Sequence, residues 1–152
     1  MQLRFFLFLS VLSLFACTPK MADAENTVTD TNDAVGPAKS VAYGERAELA
    51  VGEGLRVPRS KAAFTFTKVV TDSRCPTNMN CVQAGEAVLL MTLPDGSTRT
   101  VKVPAKSRQP VTFGISEGNV TVIAFNPYPD AMEKTPMAAY RLVVKVDEAI
   151  SQ

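Results

Sequence analysis

Two cysteines, Cys75 and Cys81, with five residues between them, are where this chain is best equipped for chemistry. Such a pair can close a disulfide, work as a redox couple, or offer two thiolates to a metal. The spacing is not Cys-x-x-Cys, and no neighbouring feature depresses a thiol pKa. Two thiolates in a chain without histidine also make an incomplete ligand set. A structural disulfide is therefore expected ahead of the redox and metal readings. Just before the pair stand Asp72 and Arg74, on either side of Ser73. A guanidinium placed there can saturate several carbonyls of a nearby loop, or recognise a carboxylate or phosphate. Tyr128, between Pro127 and Pro129, is either a core plug with its hydroxyl bonded or an exposed aromatic for a partner. Asp72, Arg74 and Tyr128 are the candidate ligand or partner contacts.

Other chemistry finds little support. The chain has no His and no Trp, and histidine is the commonest general base and metal ligand. There is no Gly-x-Ser-x-Gly elbow, and the acidic residues are scattered along the chain. No EF-hand loop is present. Met79, Met91, Met132 and Met137 have the soft thioether that copper favours. Met91, however, sits in a predicted core strand, and the other three are far apart in sequence. The expectation is a non-enzyme, with no cofactor and no metal.

Cys17 has another context. Residues 5–15 are a short apolar run that follows Arg4, and Leu14-Phe15-Ala16 lead into the cysteine. The run is too short for a membrane span, which needs about 20 apolar residues. It resembles a bacterial lipoprotein signal peptide with its lipobox, and the position matching the acylated residue is Cys17. Plain secretion and an uncleaved anchor are the alternatives. Plain secretion asks for a small residue where Leu14 stands. The resemblance implies cleavage after residue 16, acyl chains such as palmitate on Cys17, and a membrane anchor in the cell envelope. Thr18, in place of an aspartate, favours the Gram-negative outer membrane, facing the periplasm.

Residues 1–16 would form the signal peptide. Residues 17–42 would be the lipidated cysteine and a disordered tether, small and polar with Pro19 and Pro37 as breakers. Residues 43–152 would be one β-domain. Period-two alternation dominates there. In residues 63–71, Phe64, Phe66 and Val70 share one predicted face, with Thr65, Thr67 and Thr71 on the other. Residues 87–93 and 98–103 flank Pro94-Asp95-Gly96-Ser97, the clearest hairpin signal. Residues 111–113 and 120–125 make a second pair. In the last strand Tyr140, Leu142, Val144 and Val146 point one way. Short strands near 47–51 and 55–57 complete about seven. This pattern predicts an all-β, antiparallel immunoglobulin-like β-sandwich.

The segment from Val70 to Pro76 (VTDSRCP) and then Cys81 to Ala87 (CVQAGEA) resembles one found in small uncharacterised bacterial exported proteins and lipoproteins. Asn126-Pro127-Tyr128-Pro129 and the closing Tyr-x-Leu-x-Val run look like later landmarks of that group. The resemblance covers most of residues 62–147. Gln83 departs from it, where many relatives carry Trp. The group implies export and fold class, and no activity.

Charge bounds the partners. Lys and Arg total 16 against 15 acidic residues. Cleavage after residue 16 takes Arg4 alone and leaves a neutral chain. Nucleic acid is therefore not expected as a partner. The expected function is a lipid-anchored, non-catalytic binding or accessory module. It would be held to membrane lipid through Cys17 and would engage an envelope protein or polymer. The alternative is a small-ligand or metal-binding envelope lipoprotein using Asp72, Arg74 and Tyr128.

Overall fold

The computed structural model describes residues 37–107 and 109–149. The expected signal peptide, Cys17 and most of the expected tether lie outside the described residues. Nine strands appear among the described residues: β1 (Ala38–Ser40), β2 (Arg46–Ala50), β3 (Gly54–Arg56), β4 (Ala63–Asp72), β5 (Glu86–Thr92), β6 (Thr98–Pro104), β7 (Val111–Ile115), β8 (Gly118–Asn126) and β9 (Arg141–Glu148). One short 3-10 turn, Met137–Ala139, precedes β9. No helix of the described residues is long and apolar enough to cross a membrane.

The strands form two sheets, ordered β1-β3-β4-β5-β6 and β2-β9-β8-β7. All pairings are antiparallel except β1 with β3. Alternation explains why the sheets share one core. Leu142, Val144 and Val146 of β9 and Ala87, Leu89 and Met91 of β5 are all buried. Phe64 of β4 meets Phe113 of β7 edge-on at 5.5 Å, and Phe66 of β4 meets Phe125 of β8 at 6.1 Å. These contacts cross from one sheet to the other. Each such large apolar side chain contributes roughly 1.5–3 kcal/mol on burial.

The predicted phase of β4 is wrong beyond Phe66. Phe64 and Phe66 point inward as expected, but Val70 is exposed and Val69 takes the core position. The pairing of β4 with β5 slips twice, between Phe66 and Lys68 and between Val69 and Thr71. Each bulge adds an unpaired residue and shifts the alternation by one. Thr65, expected on the outer face, is itself buried.

The fold also begins earlier than residue 43. Residues 38–40, expected in the tether, pair with β3, and Val41 is buried. Backbone bonds from Gly54 to Pro37 and from Val41 to Arg56 hold them, with a Lys39–Glu53 ion pair at 2.8 Å. The free edge of β3 accounts for this strand, because Ala-Lys-Ser carries no alternating signal of its own.

At the end where β4 starts, Tyr43, Ser60 and Glu117 tie the two sheets together. The Tyr43 hydroxyl donates to the Glu117 carbonyl at 2.7 Å, and the Ser60 hydroxyl donates to the Glu117 carboxylate at 3.0 Å. The Lys61 amide and that Ser60 hydroxyl hold the Glu117 carboxyl below its ordinary range. Glu117 adopts a left-handed φ of 59°. The opposite end, where β4 finishes, carries the candidate site.

Candidate functional site

The site is built where β4 runs out. Ser73 and Cys75 continue toward β5 through backbone bonds from the Ser73 amide to the Glu86 carbonyl (2.9 Å) and from the Cys75 amide to the Ala84 carbonyl (2.8 Å). Gly85 makes this approach possible. Its φ is +72°, and a Cβ there would lie 1.8 Å from the Ser73 carbonyl oxygen. The expected disulfide is present: Cys75 and Cys81 are bonded, with their Cα atoms 5.9 Å apart.

Asp72 and Arg74 project together, as their spacing suggested, but inward. Arg74 is only 4% exposed. Its Nε donates to Asp72 Oδ1 at 2.9 Å, and its Nη2 donates to Asp72 Oδ2 at 2.7 Å. Nη1 donates to the Phe125 carbonyl at 2.7 Å, and Nη2 also donates to the Pro127 carbonyl at 2.8 Å. The guanidinium carbon lies 4.6 Å from the Phe125 ring centre and 4.8 Å from that of Tyr128. Four of the five guanidinium N–H groups are thus committed to the protein.

The carboxylate is equally occupied. Asp72 Oδ1 also accepts the Arg74 amide at 3.2 Å, and Oδ2 accepts the Tyr140 hydroxyl at 3.2 Å. With two bonds on each oxygen, its acceptor capacity is filled. Tyr140 stacks on Phe125 at 5.0 Å. Burial first, then the negative charge of Asp72 and the hydrogen bond to it, push the Tyr140 phenol above its ordinary pKa.

The arrangement is a clamp. Arg74 leaves the end of β4 in one sheet and grips the end of β8 in the other. As a ligand site, the pair Asp72 and Arg74 has little to give: an incoming anion would have to displace Asp72. Of the two readings offered for Arg74, the geometry matches the one in which it saturates the carbonyls of a loop. Tyr128 divides the two readings offered for it. Its ring covers the guanidinium, while over a third of the residue (37%) is exposed.

Around the clamp the surface sets exposed apolar residues among polar and charged ones. A groove of about 610 Å³ has Val70, Met79 and Met137 on its lining beside Asp130, Glu133 and Lys134, with Asp72 and Arg74 contributing to its wall. A second hollow of about 470 Å³ brings Val82 and Tyr128 beside the disulfide. Val70, Met79, Val82, Met132 and Met137 are all exposed. The disulfide loop and the Pro-rich loop are linked: Asn78 Nδ2 donates to Asp130 Oδ1 at 3.4 Å, and the Ala131 amide donates to Asn78 Oδ1 at 3.3 Å. The Met132 amide donates to the same Asp130 oxygen at 2.7 Å. Met79, Met132 and Met137, distant in sequence, therefore belong to one end of the domain. Sequence reasoning missed this. Its only signal was three methionines and a valine at loop positions, where polar residues prevail.

No protein-family model, no curated protein and no solved structure matches this chain.

Proposed function

We propose that this chain is a lipid-anchored cell-envelope protein whose folded domain is a non-catalytic binding or accessory module. The observation that carries the reading is the loop end. Its charged pair is turned inward and saturated, while Val70, Met79, Val82, Met132 and Met137 face outward. Exposed large apolar residues gathered at one end mark an interaction surface more often than chance. Flexible thioethers suit an apolar protein surface. A polysaccharide would call instead for convergent polar groups. The partner is therefore read as an envelope protein.

The anchor in this proposal is acylated Cys17, resting on the lipobox-like run that precedes it. The resemblance to small exported proteins and lipoproteins agrees with an oxidising compartment, in which the Cys75–Cys81 bond persists. The finer fold assignment belongs here too. We read the two sheets as a sandwich, immunoglobulin-like in its layering. Hairpins link β3 to β6 in one sheet and β7 to β9 in the other, while β2 lies beside β9, so that β2-β9-β8-β7 has the strand order of a Greek key.

The test is crosslinking in intact cells of the native organism, with mass spectrometry of the captured complex and of the bait's own N-terminus. The expected result is an acylated bait and one reproducible envelope protein, lost on Val82→Glu and kept on Thr112→Lys, a change on the exposed face of β7. Capture that is insensitive to Val82→Glu would remove the loop end from the reading. A bait with an intact, unacylated N-terminus would remove the anchor.

A further inference from the structure

The four methionines of the described residues divide sharply. Met91 is 0% exposed, between the sheets, whereas Met132 is 90%, Met79 55% and Met137 46% exposed. The exposed three share the loop end, where Met79 and Met137 line one groove and Met132 is bonded to Asp130, which also binds Asn78. Both cysteines of the domain are consumed in the disulfide. Thioethers are then the remaining oxidisable sulfurs among the described residues.

We propose that Met79, Met132 and Met137 form an oxidation-sensitive modification site, at which peroxides convert the exposed apolar side chains of the loop end into polar ones. The proposal rests on the loop end being the contact surface. The chemistry needs no catalytic group. A thioether lone pair attacks one peroxide oxygen, an S–O bond forms and the O–O bond breaks. The sulfur loses two electrons, and hydrogen peroxide is reduced to one water, which carries both protons. The product sulfoxide is strongly polar. Because these three side chains project outward, their oxidation leaves the core, including Met91, untouched. The surface changes and the fold stays.

The experiment uses residues 17–152 with Cys17→Ser and Met21→Leu, so that only the four methionines of the domain remain, treated with graded hydrogen peroxide. Peptide mass mapping should show Met132 oxidised first, then Met79 and Met137, with Met91 at least about tenfold slower. Retention on a phenyl matrix should fall as the three are oxidised, with no change in thermal midpoint. The triple variant Met79→Leu, Met132→Leu, Met137→Leu keeps apolar volume without the reactive sulfur, and its retention should not respond to peroxide. Oxidation of Met91 in step with the others would overturn the proposal. So would unchanged retention after full oxidation, or equal loss in the leucine variant. Failure of the contact reading is seen separately, as the absence of any crosslinked partner in untreated cells.

Discussion

Replacing Arg74 by Met tests the clamp most directly. Methionine keeps an apolar stem of similar length and removes the guanidinium that lies against the Phe125 and Tyr128 rings, with all four of its hydrogen bonds. Two consequences follow from the geometry. Asp72, whose side chain is 6% exposed, would keep its charge without the partner 2.7 Å away. The carbonyls of Phe125 and Pro127 would lose their donors. Breaking a buried pair from one side costs about 3–5 kcal/mol. Each orphaned carbonyl adds about 1–3 kcal/mol where water cannot reach it. The Pro-rich loop can open to solvent, so we expect about 4 kcal/mol in all, near the pair value. For a domain of this size that is roughly 15 °C in thermal midpoint, or about 2 M in urea midpoint. Urea unfolding with the disulfide intact is the assay. The double variant Asp72→Asn, Arg74→Met removes the stranded charge and should recover at least about 1 kcal/mol relative to Arg74→Met alone. A loss below about 1 kcal/mol for Arg74→Met, or a double variant equal to the sum of its singles, would refute the clamp.

Four further outcomes are expected. Gly85→Ala should cost at least about 1–2 kcal/mol more than Gly96→Ala, because both have a left-handed φ (+72° and +79°) but only at Gly85 would the Cβ strike backbone; equal losses in urea unfolding would contradict this. Removing the disulfide by Cys75→Ser with Cys81→Ser should lower stability by roughly 2–2.5 kcal/mol, as closure of so short a loop predicts, with the sheets retained by circular dichroism. Tyr140 has a raised pKa in the fold, so its contribution is complete below the unfolded phenol value near 10 and is lost as pH climbs through the folded value. Tyr140→Phe should therefore flatten the alkaline loss of stability seen in a pH series, while costing about 1–2 kcal/mol at neutral pH for the bond to Asp72. Val82→Glu, at a fully exposed position, should leave stability within about 0.5 kcal/mol while abolishing partner capture.

Local pattern was enough for much of this domain. Tyr140, Leu142, Val144 and Val146 alternate in sequence and are buried together, since a strand can turn only every second residue to one face. The Asp95-Gly96 turn was legible because only a left-handed φ closes it, and Gly96 adopts +79°. The disulfide was legible because two cysteines so close, without Cys-x-x-Cys spacing and without a histidine in the chain, have few other uses.

What the tertiary structure decided lies at long range. Arg74 could have faced a ligand or a loop, and its acceptors, Phe125 and Pro127, are 51 and 53 residues away. The bulge between Phe66 and Lys68 exchanged Val69 for Val70, because it arises from pairing with β5 and has no signature in β4 itself. The strand at residues 38–40 exists because β3 offers an edge, and the three exposed methionines come to one end of the domain because Asn78 and Asp130 join two loops. Periodicity is a property of consecutive residues, so the chain alone determines it. Which donor finds which acceptor, and which loops converge, depends on how two sheets stack, and that is fixed only when the whole core has formed.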